Sequence, residues 1–303
     1  MKRSSLLALF LVGCGPCRGC QPELPDTDGQ DTDTDTDPTV VDTAPPAACT
    51  LPEEEPNNAL SQAQELPLEV QACGELSPAP DFDNWRFTVP GAMWLGVYAH
   101  STSIGSRADV GLVLIRDDDE SVEVHDRDDG EQDVELVFPA TAAGFTALIV
   151  DDNNLGGPDD YFYELLVGEA KAPVTYNLVE VDADAPEDAQ TLADEDVVMG
   201  FIDEAHDVDW YRLPIPASMR SVEMWVEARQ HGSAATLRVQ VYDDPEGTPF
   251  ATLVGSSDGT SDDPDDELPT EGDAVWYLRV SAPSGQGGFA HWYTLAVDLK
   301  GEE

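Results

Sequence analysis

The residues with which this chain can do chemistry are five cysteines, five histidines and a large excess of carboxylates. Cys14-Gly15-Pro16-Cys17 has the spacing of a redox dithiol, but such a pair belongs beside a βαβ pattern. Here it lies between a short apolar run and a polar tail. Structural zinc needs four thiolate or imidazole ligands in close pairs. No histidine stands near Cys14, Cys17 or Cys20, and the gap from Cys20 to Cys49 holds no second knuckle. Gly255-Ser256-Ser257-Asp258-Gly259 matches the G-x-S-x-G of a nucleophile elbow, which needs a strand running into a helix. This one runs into Thr260-Ser261-Asp262-Asp263-Pro264-Asp265-Asp266, so a glycine-rich acidic turn is expected instead. His100, His125, His206, His231 and His291 form no close pair with metal-ligand spacing. With so many carboxylates, neighbouring pairs carry no glycosidase signal without a cleft. The residues predict no catalytic centre, and the chain is not expected to be an enzyme.

The charge balance narrows the partners. Against 14 Lys and Arg stand 62 Asp and Glu, a formal net charge of −48. Such a surface repels phosphate backbones, which excludes nucleic acid as a partner. It suits a solvated acidic exterior or the binding of divalent cations. At 303 residues and 41% hydrophobic content the chain can bury real cores, and the length suits about two domains.

The elements that carry these residues begin with an address. Met1-Lys2-Arg3 is a positive start, and Leu6 to Val12 is an apolar run too short to cross a bilayer. Leu11-Val12-Gly13-Cys14 resembles the lipobox of bacterial lipoproteins, which implies a signal peptide over residues 1–13 and lipidation of Cys14. Two or more acyl chains anchor stably. The expected location is the bacterial cell envelope, in the outer membrane or at the cell surface, with the membrane as partner through Cys14. Residues 14–48 read as a disordered acidic tether, because the Asp/Thr/Pro-rich stretch has no apolar content to order it. Asp31, Asp33 and Asp35 have EF-hand spacing, but Thr36 stands where the turn needs glycine and Asp42 where a bidentate glutamate is needed. With Cys14 lipidated, four cysteines remain. In an oxidising compartment Cys17 can pair with Cys20, and Cys49 with Cys73, the latter clipping the start of the first domain to its first strand.

Beyond the tether the sequence repeats. Ala63-Gln64-Glu65-Leu66 returns as Ala189-Gln190-Thr191-Leu192, 126 residues on (189 − 63). At the same offset Gly74 meets Gly200, Asp81 meets Asp207, Asp83 meets Asp209 and Arg86 meets Arg212, while Tyr163 meets Tyr293 at an offset of 130 (293 − 163). A period of this size suits whole domains, placed at residues 49–170 and 171–303. Trp85, Phe87 and Val89 alternate with Arg86 and Thr88, and Val134, Leu136 and Phe138 alternate with Glu135 and Val137, the period of a half-buried strand. No stretch sustains a helical period. The fold class is therefore all-β: two tandem antiparallel β-sandwiches with jelly-roll or Greek-key paths, each of seven or eight strands.

Glu55-Pro56-Asn57-Asn58, Ala63-Gln64, Gly74, Asp81-Phe82-Asp83-Asn84-Trp85-Arg86-Phe87 and the closing Tyr163-Glu164-Leu165-Leu166-Val167 resemble the bacterial pre-peptidase C-terminal (PPC) domain. The second copy is similar at Gly200, Asp207-Val208-Asp209-Trp210-Tyr211-Arg212-Leu213 and Tyr293-Thr294-Leu295-Ala296-Val297, but has Ala185-Pro186-Glu187-Asp188 in place of EPNN. The resemblance implies a β-sandwich of the kind appended to secreted peptidases, with calcium-binding relatives, although no peptidase is present here. By that resemblance Glu53, Glu55, Asn57, Asn58, Asp81 and Asp83 supply the hard oxygen ligands of a Ca2+ site in the first copy. Ala183, Ala185 and Glu187 align with Glu53, Glu55 and Asn57, so binding in the second copy is expected to be weak or nil. The function expected is a non-catalytic binding or adhesion module for a protein or polysaccharide ligand. The alternatives are a structural spacer or assembly subunit and, third, a hydrolase accessory.

Because Cys14 alone follows the apolar run at the right distance, Cys14→Ser is expected to leave an unprocessed precursor, read by electrophoretic mobility and acyl labelling. A fully soluble, unlipidated wild-type protein would contradict the assignment.

Overall fold

A computed structural model of the chain describes residues 49–118, 120–124, 133–151, 157, 160–181, 183–255 and 264–301. Cys14, Cys17, Cys20, the tether, His125 and the glycine-rich turn from residue 256 lie outside these. The described chain is all-β, with three single-turn helices between strands. In the first half the strands are β1 (Leu51–Pro52), β2 (Gln64–Glu65), β3 (Gln71–Glu75), β4 (Asp83–Val89), β5 (Met93–His100), β6 (Val110–Arg116), β7 (Ser121–Val124), β8 (Val134–Ala140), β9 (Ala143–Asp151) and β10 (Phe162–Glu169). In the second they are β11 (Leu178–Val179), β12 (Gln190–Thr191), β13 (Val197–Phe201), β14 (Val208–Ile215), β15 (Met219–Glu227), β16 (Arg238–Tyr242), β17 (Ala251–Val254), β18 (Asp265–Pro269), β19 (Ala274–Ser281) and β20 (Trp292–Gly301).

Each half forms two five-stranded sheets, ordered β1-β3-β10-β5-β8 and β2-β4-β9-β6-β7, then β11-β13-β20-β15-β18 and β12-β14-β19-β16-β17. The orders correspond strand for strand, so the sequence repeat is a repeat of whole sandwiches. Chain-consecutive strands often lie in opposite sheets, as jelly-roll and Greek-key paths require. The count exceeds seven or eight because each copy opens with two two-residue strands. These pair parallel, β1 on β3 and β2 on β4 and likewise β11 on β13 and β12 on β14, while all other pairs are antiparallel. Their cause is a side chain. The Gln64 carbonyl oxygen accepts from Glu54 N–H (2.7 Å) and its amide donates to Pro52 O (3.0 Å). Gln190 does the same for Val181 N–H (2.9 Å) and Val179 O (3.2 Å). The repeated glutamine thus ties the opening segment of each sandwich to the neighbouring strand.

Alternation places the cores. Trp85, Phe87 and Val89 of β4 are buried while Arg86 and Thr88 face water. On β8 the alternation breaks, because Val137, placed outward with Glu135 by its period, is only 4% exposed. The second sandwich covers it. Val137 N–H donates to Gly232 O at 2.8 Å, and the Trp292 indole N–H donates to Val137 O at 2.5 Å. β8 is a sheet edge, whose unpaired backbone groups need partners once buried. Gly232 can approach so closely because it has φ +83°, and a Cβ there would press on the Val137 amide. Trp292 stands edge-on to Trp94 (5.0 Å), and Phe289 packs on Phe138 (5.2 Å) and Phe145 (5.7 Å). Phe289 N–H donates to the Glu120 carboxylate (3.0 Å), and Glu120 pairs with Arg116, whose guanidinium lies 5.1 Å over the Phe289 ring. Met199, Ala290 and Trp292 therefore belong to the apolar core of the first sandwich.

β10 runs to Glu169, with Gly168 paired to Gly96. The chain crosses between the sandwiches after that strand. Because Trp292 is fully buried across the joint, Trp292→Ala is expected to cost about 3–5 kcal/mol. It should also lower the melting temperature of the first sandwich, to which the residue does not belong in sequence. Urea denaturation followed by the fluorescence of the remaining tryptophans checks this. An unchanged first sandwich would mean that the joint contributes nothing.

Candidate metal centre

The two turns that open the first sandwich bring the carboxylates together. Glu53 follows β1, its N–H donating to Cys73 O (2.9 Å) and its Oε1 accepting from Glu75 N–H (3.0 Å). Cys73 is joined to Cys49 by a disulfide with Cα atoms 5.8 Å apart. This bond closes a loop of sequence separation 24 and is worth about 3–4 kcal/mol in the chain-entropy account. Glu55 Oε2 accepts from Asn57 N–H (2.8 Å), and the Asn84 amide donates to Asn57 O (2.8 Å). Asn58 Oδ1 and Asp81 Oδ1 both accept from Phe82 N–H, at 2.8 and 3.1 Å. The chain thereby folds Glu55, Asp81 and Asp83 so that one carboxylate oxygen of each lies within 4.8 Å of the others.

The geometry leaves oxygens without partners. Both oxygens of Asp83, Asp81 Oδ2, Glu53 Oε2 and the whole side-chain amide of Asn57 are buried without a hydrogen bond of full geometry, although Glu53, the Tyr163 hydroxyl and Asn57 stand against Asp83. Asp83 and Asn57 are 0% exposed and Asp81 is 1% exposed. Taking an ionised carboxylate out of water without a partner is very costly, so such groups either bind a cation or take up a proton. Burial pushes the Glu53 carboxyl above the usual carboxylate range, and the charge of Asp83 adds to the effect. Burial pushes Asp81 and Asp83 up as well. A divalent ion would reverse these shifts. Hard oxygen donors with free lone pairs fit calcium, which takes six to eight oxygens. Of the six residues expected as ligands, Glu55, Asp81 and Asp83 form the compact group, Glu53 lies against Asp83, Asn57 is buried beside them, and the Asn58 side chain is turned to the Phe82 amide.

Sequence reasoning missed the floor of the site. Trp85 Nε1 donates to the Tyr163 hydroxyl at 2.7 Å beneath Glu53 and Asp83, and burial pushes the Tyr163 phenol well up. Gly74 lies under both Tyr163 and Glu53, where a Cβ would collide with the hydroxyl and the carboxylate. Gly74 and Tyr163 were visible as repeat positions, but only strand register shows that they touch.

In the second sandwich the alignment of Glu53 with Ala183 is overturned. Leu178 pairs Val198 as Leu51 pairs Ala72, and Glu180 N–H donates to Met199 O (2.9 Å) as Glu53 does to Cys73 O. Glu180 therefore stands where Glu53 stands, over Gly200 and against Tyr293. The opening segment of the second copy is one residue shorter, and matching Pro56 to Pro186 by letter carries the alignment past Glu180. Asp209 replaces Asp83, and Tyr211 replaces Trp85.

Neither a protein-family model nor a curated protein matches the chain. Among solved structures, it is similar to the pre-peptidase C-terminal domain of a collagenase from Bacillus anthracis. That match is 20% identical and covers 35% of this chain and 93% of that one, with a TM-score of 0.28. The CUB1-EGF-CUB2 region of human MASP-1/3 matches at 10% identity over 73% of this chain and 94% of that one, TM-score 0.22. Tandem CBM51 modules of a family 98 glycoside hydrolase from Streptococcus pneumoniae match at 11% over 72% and 81%, TM-score 0.22. The site stands on its own geometry.

Since a methyl group has no room at either glycine, Gly74→Ala and Gly200→Ala are each expected to cost about 1–3 kcal/mol. Chemical denaturation of each variant measures this. Wild-type stability in either would show that the carboxyl and phenol are not held against that backbone.

Proposed function

We propose that this chain is an exported, lipid-anchored, non-catalytic binding module of the bacterial envelope, whose first sandwich is closed by calcium at its opening turns. The observation that carries the metal is the set of buried oxygens without partners on Asp83, Asp81 and Glu53 beside Asn57. Calcium there would tie the segment after β1 to the turn before β4 and fix the loops at that end of the sandwich. Loops at the ends of a rigid sandwich are where such folds present contacts, here to a protein or polysaccharide. The acidic exterior raises the local concentration of cations and repels anionic partners. A second reading, a rigid spacer, is favoured by one observation, the burial of Trp292 across the joint, which fixes the two sandwiches to each other.

Calcium that binds the folded state stabilises it by mass action, about 2.7 kcal/mol at a hundred times the dissociation constant. Thermal melts of the full chain with and without calcium should show an upward shift that Asp83→Asn abolishes. The Asn variant keeps the shape of the side chain and removes its charge. No shift in the parent, or an equal shift in the variant, would reject the metal. Capture of an envelope protein or polysaccharide by the untethered chain, lost when loops at that end are changed, separates binding module from spacer.

A further inference from the structure

The second sandwich holds the same pair of carboxyls in a different way. Tyr293 donates its hydroxyl proton to Asp209 Oδ2 at 2.7 Å. The Tyr211 and Tyr293 oxygens are 2.7 Å apart. With the Tyr293 proton committed to Asp209, that contact is made by the Tyr211 proton. Glu180 Oε2 lies farther off, 3.4 Å from the Tyr293 oxygen and 3.5 Å from that of Tyr211. Two phenols bring two protons, and both are used before Glu180 is served. The other charged groups that act on the pair, Asp203 and Asp207 from the turn between β13 and β14, are negative like the pair itself.

The neighbours that favour a metal in the first sandwich are also altered. Asp207, the counterpart of Asp81, spends its carboxylate on the turn, accepting from Asp203 N–H (2.8 Å) and Val208 N–H (2.7 Å). Asp81 keeps a buried oxygen with no partner. Among the described residues no oxygen of Asp207 or Asp209 is both buried and unpartnered, and the only three-carboxylate group compact enough for an ion is Glu55, Asp81 and Asp83.

We propose that Glu180 and Asp209 share a single proton, and that this proton, in place of a metal ion, closes the opening of the second sandwich. Two carboxylates that cannot both ionise in one buried place hold a proton between them. Burial, followed by the charge of Asp209, pushes the Glu180 carboxyl up to about 9. A folded-state value above the unfolded one gives stability that is full below the unfolded value, near 4.3, and is lost as pH rises toward the folded one. The opening of the second sandwich is therefore a latch that alkali weakens and calcium leaves alone.

Infrared spectroscopy of the full chain at pH 7 tests this, reading the C=O stretch of protonated carboxyls in the parent, Glu180→Gln and Asp209→Asn. Glutamine supplies a permanent N–H donor in place of the shared proton. In Glu180→Gln part of the protonated-carboxyl band should vanish, and in Asp209→Asn that part should shift as the shared proton becomes Glu180's own, each by the same amount with or without calcium. Between pH 6 and 9 the melting temperature of Glu180→Gln should fall less than that of the parent. Should one variant fail to fold by circular dichroism, the other still reports. If neither folds, the parent's own band must include a component that survives calcium and disappears on raising the pH to 10. An unchanged band in a folded variant, or loss of this component on adding calcium at pH 7, would overturn the proposal. Because the readout is the difference between the parent and variants at Glu180 and Asp209, it stands or falls separately from the calcium reading of the first sandwich.

Discussion

Two carboxyl groups buried within reach of each other, at the mouth of each sandwich, set the condition that the rest of the opening must meet. Water would satisfy them outside, but the strands that carry Asp83 and Asp209 are core strands, and their positions are buried. The low dielectric that strengthens a good partner also magnifies the penalty of having none. The two copies meet that condition differently: the first leaves buried oxygens free to take a cation, while the second sets two phenols against its pair. One substitution, Trp85 against Tyr211, decides much of this difference. An indole brings one donor and no acceptor, whereas a phenol extends the chain of hydrogen bonds.

The opening segments are otherwise lightly held. A two-residue parallel pairing and one glutamine clamp tie each to its sheet, and only the first has the Cys49–Cys73 bond. Whatever neutralises the carboxyls is thus a principal fastening of these segments. At the far side of the first sandwich the joint works by different physics, through aromatic burial and the satisfaction of an exposed edge strand. Tyr293 and Trp292 are adjacent on β20, one facing the carboxyls and the other the first sandwich. The latch and the joint are therefore mechanically close.

Much of the architecture was legible in the residues. Alternation at Trp85, Phe87 and Val89 located a core strand, and the 126-residue offset located the second copy. The same alternation holds a clue to the joint, since an apolar Val137 at an outward position marks a covered face. The candidate ligands were readable by type, but their floor was not, because Tyr163 and Trp85 meet only across two sheets, 78 residues apart. Glu180 escaped because alignment by matching letters ignores that opening segments differ in length, whereas strand register does not. The lipid anchor and tether rest on sequence alone.

The central claim is that buried oxygens around Asp83 hold a cation while those around Asp209 hold a proton, and sensitised terbium luminescence tests it most directly. Trp85 lies fully buried beneath the first pair, and the second pair has Tyr211 in its place. Terbium bound at the first opening should be excited through tryptophan, be displaced by calcium, and lose its emission in Asp83→Asn while keeping it in Glu180→Gln. Emission that persists in Asp83→Asn, or that depends on Glu180, would contradict the account.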